Sequence, residues 1–149
     1  MSIVTTISDA VVSRINAAEL SVELTAVRGY RPVRDLAGLS SIKVAVIPVS
    51  LPRLDITDRE GSTERDYQVD IIIQKQVAAD QATDDVDLDA ADALMDLEDE
   101  IINLFPGDPF SDGEYVCTGI DCEIFDMERM NDNGEFFGVI SLTVTTIQD

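Results

Sequence analysis

A chain of 149 residues with 45% apolar side chains can build one domain with its own core, and is too apolar to be disordered despite a net charge of -20. No apolar run approaches the roughly 18 residues of a membrane span, and no basic segment leading into an apolar one opens the chain, so a soluble protein made in the cytoplasm is expected. The charge is unevenly divided: residues 1–75 hold nine Lys/Arg and ten Asp/Glu, whereas residues 76–149 hold only Arg129 against twenty acids. Phosphate binding needs cations, so specific nucleic-acid binding is excluded as a primary role; an acidic surface either repels DNA or simply keeps the chain soluble.

Residues 2–20 read as an opening helix, because Ile3, Ile7, Val11, Ile15 and Ala18 share a face and Thr6, Asp9, Ser13 and Asn16 lie away from it. Alternation from Leu20 to Arg28 predicts a strand, stopped by Gly29-Tyr30-Arg31-Pro32. Residues 35–40 allow one helical turn. Ile42–Val49 is apolar at nearly every position and predicts a central strand covered on both faces, with Pro48 marking its end or a bulge. Residues 51–65 form the longest irregular segment, read as an extended hairpin or a flexible arm.

In Asp66–Val77, Tyr67, Val69, Ile71 and Ile73 fall on one face of a strand; Gln68, Asp70 and Gln74 point the other way, and Ile72 is the exception. After an acidic linker over 78–85, Ala90, Leu94, Leu97, Ile101 and Phe105 make the oily stripe of a helix that should lie on that strand. Asp85, Asp89, Asp92, Asp96 and Asp99 make its opposite, solvated face. Pro106, Gly107 and Pro109 end it. Two strands follow, Tyr115–Asp126 and Phe136–Ile147, joined at the Asn131-Asp132-Asn133-Gly134 turn cluster as a hairpin. The expected fold is α+β: a single domain, a largely antiparallel β-sheet with two α-helices packed on it, on one face, and a C-terminal β-hairpin. Nothing in the sequence shows how the edges of that sheet are covered.

Catalytic signatures are missing. The chain has no histidine, which removes His-based triads and His metal sites. It has no phosphate-cradling Gly-rich loop. The turn at Asn131, Asn133 and Gly134 resembles the middle of a calcium loop but has Arg129 and Ile140 where the first and last ligands belong. Cys117 and Cys122, five apart, would face opposite sides of a straight strand and are expected to be reduced, buried thiols. No catalytic, cofactor-binding or metal residues are assigned, and no cofactor is expected.

Taken whole, the layout resembles the tail terminator proteins of tailed bacteriophages and the related neck, tail-completion and minor tail proteins. The resemblance is carried by the opening helix, Arg28-Gly-Tyr30-Arg-Pro32 with Leu36 and Leu39, and Val44-x-Val46-x-Pro48. It continues through the long arginine-bearing segment to Arg59, the DYQVDIIIQK strand, the amphipathic helix, and Phe136-Phe137-Gly138 in the last strand. It implies a non-enzymatic virion protein that forms a homohexameric ring, caps the tail tube, stops its polymerisation and offers a face for head-to-tail joining. The implied partners are further copies of the chain, the tail tube protein and head connector or neck proteins, with DNA passing through the channel. Contacts between subunits or with the tube are expected at Arg28, Arg31, Arg34, Arg53, Asp55, Arg59 and Arg65, with the basic 28–65 segment of one copy facing the acidic half of the next. Other neck or head-completion connectors, a bacterial adaptor module, and a metal-dependent hydrolase using clustered carboxylates are the alternative readings.

Overall fold

The computed structural model describes residues 2–32, 36–50, 66–77, 87–107, 109 and 115–146. The first helix, α1, spans Ile3–Ala17 and buries Val4, Ile7, Ser8, Val11 and Ile15. Val4 takes the place in the stripe expected of Ile3, which is largely exposed at the first helical position. Ser8, read from the sequence as neither face, sits inside because its hydroxyl donates to the Val4 carbonyl at 2.7 Å and so carries no unmet polar group into the core.

Five strands follow: β1 (Ala26–Arg28), β2 (Lys43–Ser50), β3 (Asp66–Gln76), β4 (Tyr115–Glu123) and β5 (Glu135–Thr146). They form one sheet in the order β1-β2-β3-β5-β4. β1 runs parallel to β2, and every other pair is antiparallel. The expected strand over residues 20–28 shortens to its last three residues. Leu20, Val22 and Leu24 do pack on the core, but the backbone N–H of Ser21 donates to the Glu100 carboxylate rather than to a strand. The strand end or bulge expected at Pro48 is a register shift between Pro48 and Ser50, at a residue without an N–H to give the ladder.

Register sorts the side chains. Val46, Ile71, Ile140 and Cys122 lie in one cross-strand row, and Val69, Leu142 and Ile120 in the next. Apart from exposed Cys122, these residues belong to or pack on a single apolar cluster that also contains the buried faces of α1 and of α2, Leu88–Ile102. Both long helices therefore cover the same face, α1 over β1–β3 and α2 over β5. Asp87 caps α2 by accepting from the Ala90 N–H at 3.1 Å. Leu94, Leu97, Ile101 and Phe105 are buried as the stripe predicts, while Asp89, Asp92, Asp96 and Asp99 are exposed.

The other face carries the departures from expectation. Residues 131–134 are not a bare turn but the end of a third helix, α3 (Met127–Asn133), closed by Gly134 at φ 62; only glycine adopts that left-handed cap without strain. The β4–β5 pair is antiparallel and adjacent as expected, with a helix in its connection. Gln74, expected to be wet, is buried: its amide donates to Glu135 at 2.8 Å, and Arg129 of α3 sits 3.6 Å from that carboxylate and 3.9 Å from the Phe137 ring centre. The missed helix supplies this cover. A 3-10 turn, Leu36–Ser40, packs on β3 and buries Leu39.

Candidate subunit interface

Of the seven residues expected at an interface, two fall among the described residues. Arg28 ends β1, and its guanidinium lies 3.3 Å from Asp9 of α1. Part of that charge is therefore answered within the chain, though an exposed pair of this kind contributes only about 0–1 kcal/mol and does not forbid a second partner. Arg31 is exposed just beyond β1. Arg34, Arg53, Asp55, Arg59 and Arg65 lie outside the described residues.

Among the described residues, parts of both sheet edges are covered. At β1, the side-chain amide of Asn16 accepts from the Ala26 N–H at 2.7 Å and donates to the Ala26 carbonyl at 3.0 Å. It stands in for the peptide group of a neighbouring strand. At β4, the register shifts between Cys117 and Gly119, Pro106 bridges to Cys117, and Asp121 and Glu123 project into solvent. A bulge, a proline and charges are the usual means of discouraging strand addition. Strand addition is discouraged at these positions of the two edges.

The two ends of the sheet are a different matter. The end formed by the last residues of β2 and the first of β3 and β4 carries exposed Val49, whereas exposed Val27 lies in a middle row with Ala45, Ile72, Val139 and Glu123. The opposite end gathers the end of β4, the start of β5, α3 and the start of α2. Two backbone hydrogen bonds tie it together, Asp87 N–H to the Val77 carbonyl at 2.8 Å and Val77 N–H to the Gly134 carbonyl at 2.9 Å. It carries exposed Leu88, Ile124 and Met127 beside Asp89, Glu123 and Glu128. Of the seven large apolar side chains exposed among the described residues, Leu88, Ile124 and Met127 thus gather at this acidic end. Lys43 and Lys75 also lie at the acidic end, and Asp66 lies at the other.

No protein-family model and no curated protein matches this chain. Function has to be argued from its own residues.

One further cluster is chemically unusual. Glu98 of α2 points at the sheet and is buried, although the stripe left it unnoticed. The signal was present, since position 98 follows Leu94 by four and precedes Ile101 by three. Its Oε1 has no hydrogen-bond partner among the described residues, and the Cys122 thiol donates to Oε2 at 3.4 Å. Burial raises this carboxyl to about 7; the Cys122 hydrogen bond works against the rise and neighbouring Asp99 adds to it. Burial of the sulfur's inner side, then the adjacent Glu98 charge, push the Cys122 thiol up to about 12. Such a thiol stays protonated at neutral pH and is the reverse of an activated nucleophile. Both cysteines are free; Cys117 is half-buried and Cys122 exposed, not buried as expected. The register shift in β4 sets Cys117 opposite Val144 and Cys122 opposite Ile140, so both face the core. They stand about 15 Å apart along the strand, too far to pair.

Among the described residues no group of three or more His, Cys, Asp or Glu is placed to hold a metal. A wide-open depression of about 580 Å³ lies between Ala17, Ala18, Leu104 and Pro109. Its one cation, Arg14, donates to the Leu104 and Pro109 carbonyls at 3.4 and 3.0 Å, which makes it a clamp between the two helix ends.

Proposed function

We propose that the chain is a structural virion protein of the tail terminator type. It assembles as a ring, hexameric by the resemblance, caps the tail tube, stops its polymerisation and provides the surface to which the head connector joins. The observation that carries this reading is the element order: an opening helix, the β2 strand, a long arginine-bearing segment, the β3 strand, an amphipathic helix and a closing antiparallel pair, with both long helices on one face of one sheet. That is the layout on which the resemblance rests. The charge division agrees with it, because a ring needs two unlike surfaces on each subunit and a DNA channel is served by unpaired carboxylates. A catalytic reading finds less to stand on: among the described residues, the one carboxyl with a strongly raised pKa is buried beside a thiol that stays protonated.

The test is assembly. Tail tube protein polymerised in the presence of this protein should give tubes that stop growing and carry a ring at one end, seen by electron microscopy. Native mass spectrometry of the protein should show a closed oligomer. A protein that is monomeric alone and absent from tube ends overturns the reading and favours the adaptor alternative.

A further inference from the structure

The buried face of α2 carries one ionisable group, and we infer that it works as a proton-operated latch. With its proton, Glu98 seats α2 on β4 and β5; without it, the C-terminal half of the helix loosens from the sheet. Glu98 is 3% exposed, in a stripe whose other members, Leu94, Leu97 and Ile101, are apolar and buried. It fits there because Gly138 has no side chain. The Glu98 Oε2 takes the space that a Cβ at position 138 would need, and the Ile124 carbonyl oxygen borders the same space. Among the described residues Oε1 meets no partner, and Oε2 meets the Cys122 thiol. A neutral carboxyl sits in such a place at modest cost, because its O–H can turn to the Ile124 carbonyl. A carboxylate there is a buried charge held by one weak donor.

Among the described residues no cation answers that charge. Asp99 on α2 adds to the unfavourable field at Glu98, and Glu123 stands beside Cys122 on β4. Gly138, Ile140 and Leu142, on the core side of β5, bear no charge. Arg14 of α1 is turned to the Leu104 and Pro109 carbonyls, and Arg129 of α3 to Glu135 on the other face. The helix itself contains Asp89, Asp92, Asp96, Glu98, Asp99 and Glu100 and no cation. The last three lie close to its C-terminus, where the helix dipole disfavours anions. Burial accordingly raises the Glu98 carboxyl to about 7, so the latch turns over near neutral pH. Polar ties at that end are few: Glu100 accepts from the Ser21 N–H and hydroxyl, and Arg14 holds the Leu104 carbonyl. The helix can therefore lift between them, uncovering Leu97 and Ile101, while the rest of the fold stays closed.

Hydrogen exchange of the full chain tests this, read by mass spectrometry and corrected for the intrinsic pH dependence of amide exchange. In the parent, protection of the amides of residues 94–102 should fall by about tenfold between pH 6 and pH 8. That is the part of a shift from 4.5 to about 7 that lies in this window. The amides of α1 and β3 should keep their protection. Glu98→Gln cannot ionise and should show no such fall. Equal profiles for parent and variant overturn the latch. So does a fall that α1 and β3 share in the parent, because α2 then opens only with the whole fold. If Glu98→Gln melts early at pH 6, Glu98→Met fills the site without a titrating group and is read the same way. The chain is measured without tail tubes, so a failed latch leaves the ring standing, and a missing ring leaves the latch testable.

Discussion

Gly138 is the point at which Glu98 comes down onto the sheet: a Cβ at position 138 would stand 2.5 Å from the Glu98 Oε2 and 2.8 Å from the Ile124 carbonyl oxygen. The second of these is backbone and cannot swing aside. Gly138→Ala should therefore cost about 1–3 kcal/mol, the range for overfilling a packed site, and lower the melting temperature by roughly 2–4 °C per kcal/mol. Combining it with Glu98→Ala should return part of the loss, because one of the two clashes is gone. Thermal melts of the single and double variants check this; a fully additive pair would sink it.

Glu98 should also make stability depend on pH. Its carboxyl titrates near 4.5 unfolded and at about 7 folded, so the folded state holds the proton more tightly. The neutral form's stabilisation is complete below about 4.5, declines as pH rises, and is lost above about 7. Glu98→Gln is neutral throughout and should flatten that decline, making the variant more stable than the parent at pH 8 by about 2 kcal/mol. Urea titrations of both proteins at pH 5 and pH 8 give the comparison. Identical pH profiles would place the carboxyl's proton elsewhere.

Cys122 should react slowly for an exposed thiol. With its pKa at about 12 against the ordinary 9.0, the thiolate at pH 8 is at least about a hundredfold scarcer than on a free cysteine. Alkylation by iodoacetamide, followed by mass spectrometry, should show this, and Glu98→Gln should speed it. Rapid labelling of Cys122 in the parent contradicts the contact with Glu98.

Asn16→Ala should uncover the β1 edge. Removing the amide leaves the N–H and carbonyl of Ala26 without their partners, at a cost of about 1–3 kcal/mol, and frees a strand edge for pairing. Lower stability in urea together with light scattering that rises with concentration is the expected result. Lower stability without aggregation would mean that Asn16 only supports the strand.

Much of the fold was legible because periodicity records burial directly. The β3 alternation and the α2 stripe are buried almost position for position, since each faces one apolar layer. What the sequence hid was polar or short. Asn16 reads as a surface residue until the strand it caps is in place. Gln74 looks wet until Arg129 and Glu135 close over it, and α3, at seven residues, lies in a stretch rich in turn formers. The bulge at Thr118 undid the argument about the cysteines, because one extra residue reverses every later side chain of a strand. Of the residues expected at an interface, the basic cluster was visible in the charge count, but most of it lies outside the described residues.

The order of the strands has a consequence for how the protein is made. β3 and β5 form the centre of the sheet, yet the contacts between them join residues far apart in the chain: Asp66 and Thr145 are 79 positions apart, and Gln74 and Glu135 are 61. Such distant pairings are entropically late. A nascent chain can form α1 as it emerges, but the β3 ladder has no second side until β5 has been synthesised. Until then the apolar face of β3 has only β2 and α1 for company. In that interval the acidic stretch between β3 and β5, translated first, should help keep the waiting strand in solution by its charge.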